Sequence, residues 1–255
     1  MFFWMIKALS TALGESTSDY LVHAMPPVAA VMLGFVGFVV ALTVQLRLRR
    51  YVASAYWTCV VMVGVFGTMA ADVLHVGFHV PYVASSSVYA AVLATVFVAW
   101  QRTERTLSIH TINTTRRELF YWAAVVATFA LGTAVGDLTS ITLHLGYFSS
   151  AVLFAALILV PAVGFAAAGL NAVLAFWVAY VLTRPLGASV ADWLGKPLSL
   201  GGRGWGDSAV AVGLLAAILV LVGYLAATKT DVQAHPAFAD SAMRSPSPVA
   251  PRSRD

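Results

Sequence analysis

The chain has 255 residues, 60% of them hydrophobic and 10% charged, with a formal net charge of +4, and its mean hydropathy is +0.84. An ordinary soluble domain is about 25% charged, so this composition excludes a water-soluble globular protein and predicts an integral membrane protein. The basic residues form short clusters beside apolar runs, such as Arg47-Leu48-Arg49-Arg50 and Arg116-Arg117, without the long basic face that nucleic acid requires, so no nucleic-acid partner is expected.

Apolar runs of about the length of a membrane span fall at 3–22, 28–46, 52–74, 81–100, 119–141, 146–168, 172–194 and 208–228. They predict an all-α fold, a polytopic membrane bundle of eight transmembrane helices over residues 1–229. The first run reads as a retained span, since Lys7 interrupts it and no basic segment precedes it as in a secretory leader. The third contains Cys59, the single cysteine, which excludes an intrachain disulfide and any cysteine-based metal site. Residues 102–118 form the longest connection on their side, with room for a short surface helix. From about residue 230 to 255 the chain turns polar and rich in Pro and Ser (Ser245-Pro246-Ser247-Pro248, Pro251), which predicts a disordered tail.

One pattern is written four times: an aromatic, Trp, Gly ten residues after the Trp, and Asp five residues after the Gly. The copies are Phe3-Trp4/Gly14/Asp19, Tyr56-Trp57/Gly67/Asp72, Tyr121-Trp122/Gly132/Asp137 and Phe176-Trp177/Gly187/Asp192. All lie in odd-numbered spans, and the even spans are nearly free of charge. The repeating unit is therefore a two-helix hairpin, at about 1–48, 52–101, 118–168 and 172–228. With two spans per unit, the four repeats run parallel.

Arg47, Arg49, Arg50, Arg102, Arg105, Arg116 and Arg117 follow even spans, and Lys229 opens the tail. The opposite connections carry chiefly histidines, with Lys196 and Arg203 only in the last. The positive-inside rule then places both termini in the cytoplasm. Each motif Trp falls at the cytoplasmic interface, and each Asp, fifteen residues on, lies roughly 22 Å deeper, in the outer third of a core about 30 Å thick.

On a helical wheel, Trp4, Lys7, Thr11, Gly14, Glu15, Ser18 and Asp19 share one face, as do Trp177, Tyr180, Arg184, Gly187, Ala188 and Asp192. Such polar stripes must face a bundle interior or a water-filled cavity. Lys7 and Arg184 supply two cations against the five carboxyls of Glu15, Asp19, Asp72, Asp137 and Asp192. That excess cannot stand ionised in low dielectric; it must hold protons, meet water or bind a cation. Two readings stand for the aspartates: they line a proton and substrate pathway, or they serve packing and helix ends alone. Glu15 replaces the Thr68, Thr133 and Ala188 of the other copies, a costly departure that marks it as a functional candidate. Arg184 is followed by Pro185, which predicts a kink that frees the Val181 carbonyl, the broken-helix arrangement of transport sites. Alternatively, an Arg184–Glu15 ion pair locks two helices. His23, His75 and His144 follow Asp19, Asp72 and Asp137 and are weak metal-ligand candidates. No phosphate-binding glycine loop and no nucleophile–base arrangement stands in the sequence, so enzyme chemistry has little support and no cofactor is expected.

Leu13-Gly14-Glu15-Ser16 with Asp19-Tyr20, Phe129-Ala130-Leu131-Gly132-Thr133-Ala134 with Gly136-Asp137, and Gly169-Leu170-Asn171 through Phe176-Trp177 to Thr183-Arg184-Pro185-Leu186-Gly187-Ala188-Ser189 resemble a bacterial family of "membrane-anchored" proteins built from a repeat of unknown function. The resemblance spans nearly the whole chain to about residue 228. It implies the eight-helix repeat architecture and a bacterial inner-membrane setting, and it carries no activity, ligand or catalytic residue. From the residues themselves, the expected function is a proton-coupled secondary transporter, an exporter of a small cation, with the lipid bilayer as its other partner. The competing readings are a non-transporting scaffold or sensor that binds a partner or lipid, and a membrane-embedded enzyme acting on a lipid-like substrate.

Overall fold

The computed structural model describes residues 2–48, 51–112 and 114–228. Within them lie eight long helices: α1 (Phe2–Ala24), α2 (Pro27–Arg47), α3 (Ala53–Asp72), α4 (Tyr82–Glu104), α5 (Thr115–Asp137), α6 (Gly146–Ala168), α7 (Ala172–Gly195) and α8 (Asp207–Thr228). Arg49, Arg50, Lys229 and the 230–255 tail fall outside the described residues. The α4–α5 connection holds one 3-10 turn, Ile109–Thr111, in place of the expected surface helix.

Local chemistry sets the boundaries. Pro27 opens α2, where a missing N–H costs nothing. The Thr114 side chain accepts from the Arg117 N–H to start α5, and the Asn171 side chain accepts from the Val173 and Leu174 N–H groups to start α7. Gly169, at φ 67°, ends α6 in the left-handed conformation. Pro185 does not break α7, which runs without interruption from Ala172 to Gly195. Asp72 and Asp137 each stand at the junction with a π-helical turn, Val73–Gly77 and Leu138–Thr142, the wider winding that recurs at functional sites.

Seven of these helices are long and apolar enough to cross a membrane. The eighth, α1, has the length, but Lys7, Glu15 and Asp19 lie on it. The odd helices close a ring in chain order: α1 packs on α3, α3 on α5, α5 on α7, and α7 on α1. The even helices form the outer layer, and each leans chiefly on the odd helix of the next copy: α2 on α3, α4 on α5, α6 on α7, and α8 on α1. Only Ala30, Gly34, Phe38 and Gln45 of α2 are buried, against twelve residues of α5. The outward faces of the even helices present Val, Leu and Phe, as a lipid-facing layer requires.

The motif glycines explain how the ring closes. A Cβ on Gly14 would lie 2.8 Å from the Gly64 backbone, and one on Gly67 would lie 3.0 Å from Phe129 Cβ. A Cβ on Gly132 would collide with the Arg184 stem, and one on Gly187 with Thr11. In each case the Gly meets the residue three positions before the Gly of the next copy. One contact, repeated cyclically, makes all four seams, which is the close-packing role of small residues between membrane helices.

The motif tryptophans lie near the starts of the odd helices, and three of them turn inward. Trp57, Trp122 and Trp177 are at most 4% exposed, and only Trp4, at 37%, reaches the surface. Their rings fill the gaps between helices: Trp177 packs on Phe97, Trp100, Tyr121 and Tyr180 and donates to the Leu107 carbonyl at 2.9 Å. The buried indole supplies packing area, and in Trp177 its N–H finds an acceptor.

Gly14→Val should lower stability by about 1–3 kcal/mol, the usual range for overpacking. Gly213→Ala, on α8 with nothing within 4 Å of the added carbon, should be neutral or stabilising. Thermal unfolding of the purified proteins in detergent measures both, and equal midpoints would contradict the seam.

Candidate functional site

Cyclic closure stacks equivalent positions of the four copies along one axis. From the tryptophan end the layers are Phe3/Tyr56/Tyr121/Phe176, then Lys7/Val60/Val125/Tyr180, Thr11/Gly64/Phe129/Arg184, Glu15/Thr68/Thr133/Ala188, and last Asp19/Asp72/Asp137/Asp192. The seven charged residues of the predicted pathway all belong to these layers.

The middle of the axis is a knot around Arg184, which has no exposed surface. Its Nη2 donates to Glu15 Oε2 at 2.5 Å and to the hydroxyls of Thr68 and Thr133, the latter at 2.7 Å. One guanidinium nitrogen on α7 thus ties α1, α3 and α5 together. Thr68 also donates to Glu15, at 3.3 Å. The Arg184 Nε and Nη1 have no hydrogen-bond partner among the described residues, and the guanidinium carbon stands 5.4 Å from the Phe129 ring centre. Thr11 donates to the Thr183 carbonyl at 3.3 Å. Toward the tryptophan end, Lys7 is fully buried and its Nζ has no hydrogen-bond partner among the described residues. It lies 4.1 Å from the ring centres of both Phe129 and Tyr180, a cation–π pair in a dry setting.

Above the knot the four aspartates open into one cavity of about 540 Å³, which reaches down to Glu15. Tyr82, Tyr147, Lys196, Asp207 and His23 stand in its wall beside the apolar Ile141 and Leu200. Oxygens of Glu15, Asp19 and Asp192 lie within 4.8 Å of one another, close enough to share a cation. Lys196 is already there, its Nζ 2.5 Å from Asp19 Oδ2 and 3.8 Å from Asp192 Oδ1. Burial works against that charge, but Asp19 and Asp192 outweigh it and hold the ammonium above the ordinary lysine range. Asp72 and Asp137 have no ion-pair or hydrogen-bond partner among the described residues.

The structure therefore brings together Glu15, Asp19, Asp72, Asp137, Asp192 and Arg184, and sets Lys7 apart beneath them. Of the three candidate histidines, His23 lines this cavity, and His75 and His144 are not among its lining residues. His23 Nδ1 binds the Asp19 carbonyl at 2.6 Å, His75 Nδ1 binds the Val80 carbonyl at 2.8 Å while its ring stacks on Tyr82, and His144 is exposed with φ 55°. In the first two pairs the imidazole turns to a backbone carbonyl instead of the neighbouring carboxylate. Lys196 is the cation that the count of charges omitted. Its signal was present, one helical turn after Asp192, but its place in a loop read as surface. Tyr82 and Tyr147, which enter from the outer layer, each follow the motif Asp of their copy by ten residues, a signal confined to the second and third copies.

The model of a family described as a Repeat of Unknown Function (DUF347) matches residues 2–51, 55–106, 120–169 and 175–231. The chain belongs to this family. No curated protein and no solved structure matches it significantly. The four matched segments each contain one Trp–Gly–Asp motif and one even helix, so the family repeat and the sequence repeat share a period.

Arg184→Met should cost about 3–5 kcal/mol, because Glu15 loses its counter-charge in a closed interior. The double variant Glu15→Met/Arg184→Met should recover most of that loss. Thermal unfolding in detergent distinguishes them; a double variant no more stable than Arg184→Met would argue against the ion pair as the source.

Proposed function

We propose that this protein is a proton-coupled secondary transporter of a cation, working as an exporter in the bacterial inner membrane with α1 crossing beside the other seven helices and both termini in the cytoplasm. The observation that carries the reading is the convergence of five carboxyls from four helices on one cavity that ends blindly at an Arg–Glu pair. A cavity open at one end and closed at mid-depth is what alternating access requires of one of its states. Glu15, Asp19, Asp72, Asp137 and Asp192 exchange protons and the cation, and Arg184 and Lys7 are fixed counter-charges. Asp72 and Asp137, lacking cationic partners, are the carboxyls best placed to carry protons. Lys196 is a tethered cation that holds Asp19 and Asp192 until a free cation displaces it.

The scaffold reading draws on the same knot, since Arg184 alone can fix the register of four helices. The enzyme reading calls for an apolar cleft beside Glu15, whereas the cavity there is walled by carboxyls. Against both, the scaffold gives no role to four aspartates held apart from any partner but Lys196.

Asp19→Asn should abolish cation-driven proton flux in proteoliposomes while gel filtration still returns a folded protein, and Glu15→Gln should abolish it with a loss of about 3–5 kcal/mol in stability, since it leaves Arg184 unpaired. Flux at the unaltered rate in both variants would sink the mechanism. Lys196→Met, by removing the tethered competitor, should tighten apparent cation affinity several-fold, read from the concentration that gives half-maximal flux; a weaker affinity would count against the competitor role.

A further inference from the structure

The second cavity lies at the opposite end of the same axis. It measures about 540 Å³ and its floor is the complete layer of aromatics that precede the motif tryptophans, Phe3, Tyr56, Tyr121 and Phe176. Trp122, Gln45 and Glu118 stand in its wall, beside the apolar Leu46, Ile109 and Ile112. Among the described residues no Lys or Arg lines it, and Glu118 is the one charged group of its described wall. The two arginines of the same helix turn, Arg116 and Arg117, are both engaged by Glu104.

Two acceptor oxygens in this cavity stand open. Glu118 Oε1 accepts from Gln45 Nε2 at 3.1 Å and from Trp122 Nε1 at 3.4 Å. Its Oε2 has no partner among the described residues. Gln45 is 8% exposed, and its Oε1, a buried acceptor, is also unpartnered among the described residues. The Tyr56 and Tyr121 hydroxyls share one hydrogen bond at 2.5 Å. Tyr51, Thr114 and Thr115 bring hydroxyls to the same wall; what a ligand can add is a charged donor, the complement of a carboxylate among aromatic faces.

We propose that this cavity binds a protonated organic amine, with its N–H groups on Glu118 and Gln45 and its apolar part against the aromatic layer. A bare metal ion would find one carboxylate and too few oxygens to replace its hydration. A quaternary ammonium would leave both acceptors empty. The cavity volume lies in the range of small-molecule sites. The proposal rests on the transport reading to the extent that it names the substrate class taken up at the cytoplasmic mouth, and the binding itself stands or falls separately.

The test is isothermal titration of phenethylammonium into the purified full-length protein in detergent, with uncharged 2-phenylethanol as the control. One saturable site for the amine and none for the alcohol is expected. Glu118→Gln, which keeps an acceptor for Gln45 and Trp122 and so preserves the fold, should weaken binding at least about tenfold. Tyr56→Leu should weaken it several-fold. Asp72→Asn/Asp137→Asn should leave it unchanged, since those residues line the other cavity. Equal binding of amine and alcohol, unchanged binding in Glu118→Gln, or loss of binding in the aspartate variant would overturn the proposal. Proton flux with no amine binding would remove this site and leave the transport reading intact; amine binding without any flux would do the reverse.

Discussion

A guanidinium enclosed among apolar helices has no water to fall back on, so every part of its surroundings must be arranged around it. Arg184 meets this demand with one nitrogen, and the oxygens it uses come from three other helices. Its aliphatic stem fills the space that Gly132 leaves open, and its flat face lies near Phe129. The charge, the packing and the position of the ring seams are therefore parts of a single constraint. Because desolvation is severe, such a group destabilises unless its partner is present, and Glu15 is the one copy of its layer able to supply a negative charge.

The four copies are alike in what builds the ring and unlike in what fills it. Glycines and aspartates repeat without exception, while in the three axial layers that hold Lys7, Arg184 and Glu15 only Val60 matches Val125 and Thr68 matches Thr133. A strict repeat would place four identical side chains around one axis, and four arginines or four glutamates there would repel. Divergence at those layers is what lets a symmetric frame hold a neutralised pair. The same frame gives the axis two unlike ends, one lined by carboxyls and the other by aromatic rings.

Much of this was legible in the sequence. Apolar run length located each helix, since no water-exposed face competes with it. The invariant spacing of Gly and Asp marked the inner helices, and the polar stripes of the first and seventh spans turned inward as their composition demanded. The oddity of Glu15 within its layer pointed to its role beside Arg184. What stayed hidden depends on closure. The inward turn of three motif tryptophans is not readable from their place near the helix starts, since the gaps they fill exist only once the neighbours are known. Lys196 read as a loop residue because nothing in a linear count folds that loop over the aspartates. Glu118 and Gln45 lie 73 residues apart, and their shared cavity follows from the way α2 leans on the next copy.

That leaning has a consequence for how such a chain can vary. Because α8 seats on α1 as α2 does on α3, the molecule is interlocked like the staves of a cask. No hairpin is complete until its successor arrives, and the last is completed by the first. A chain carrying only half of the copies would present two unfinished flanks, each shaped for the other, and would be driven to find its missing half on a second molecule. Copy number in this architecture is thus fixed by circumference, and the link across residues 105–114 joins two halves that geometry already obliges to meet.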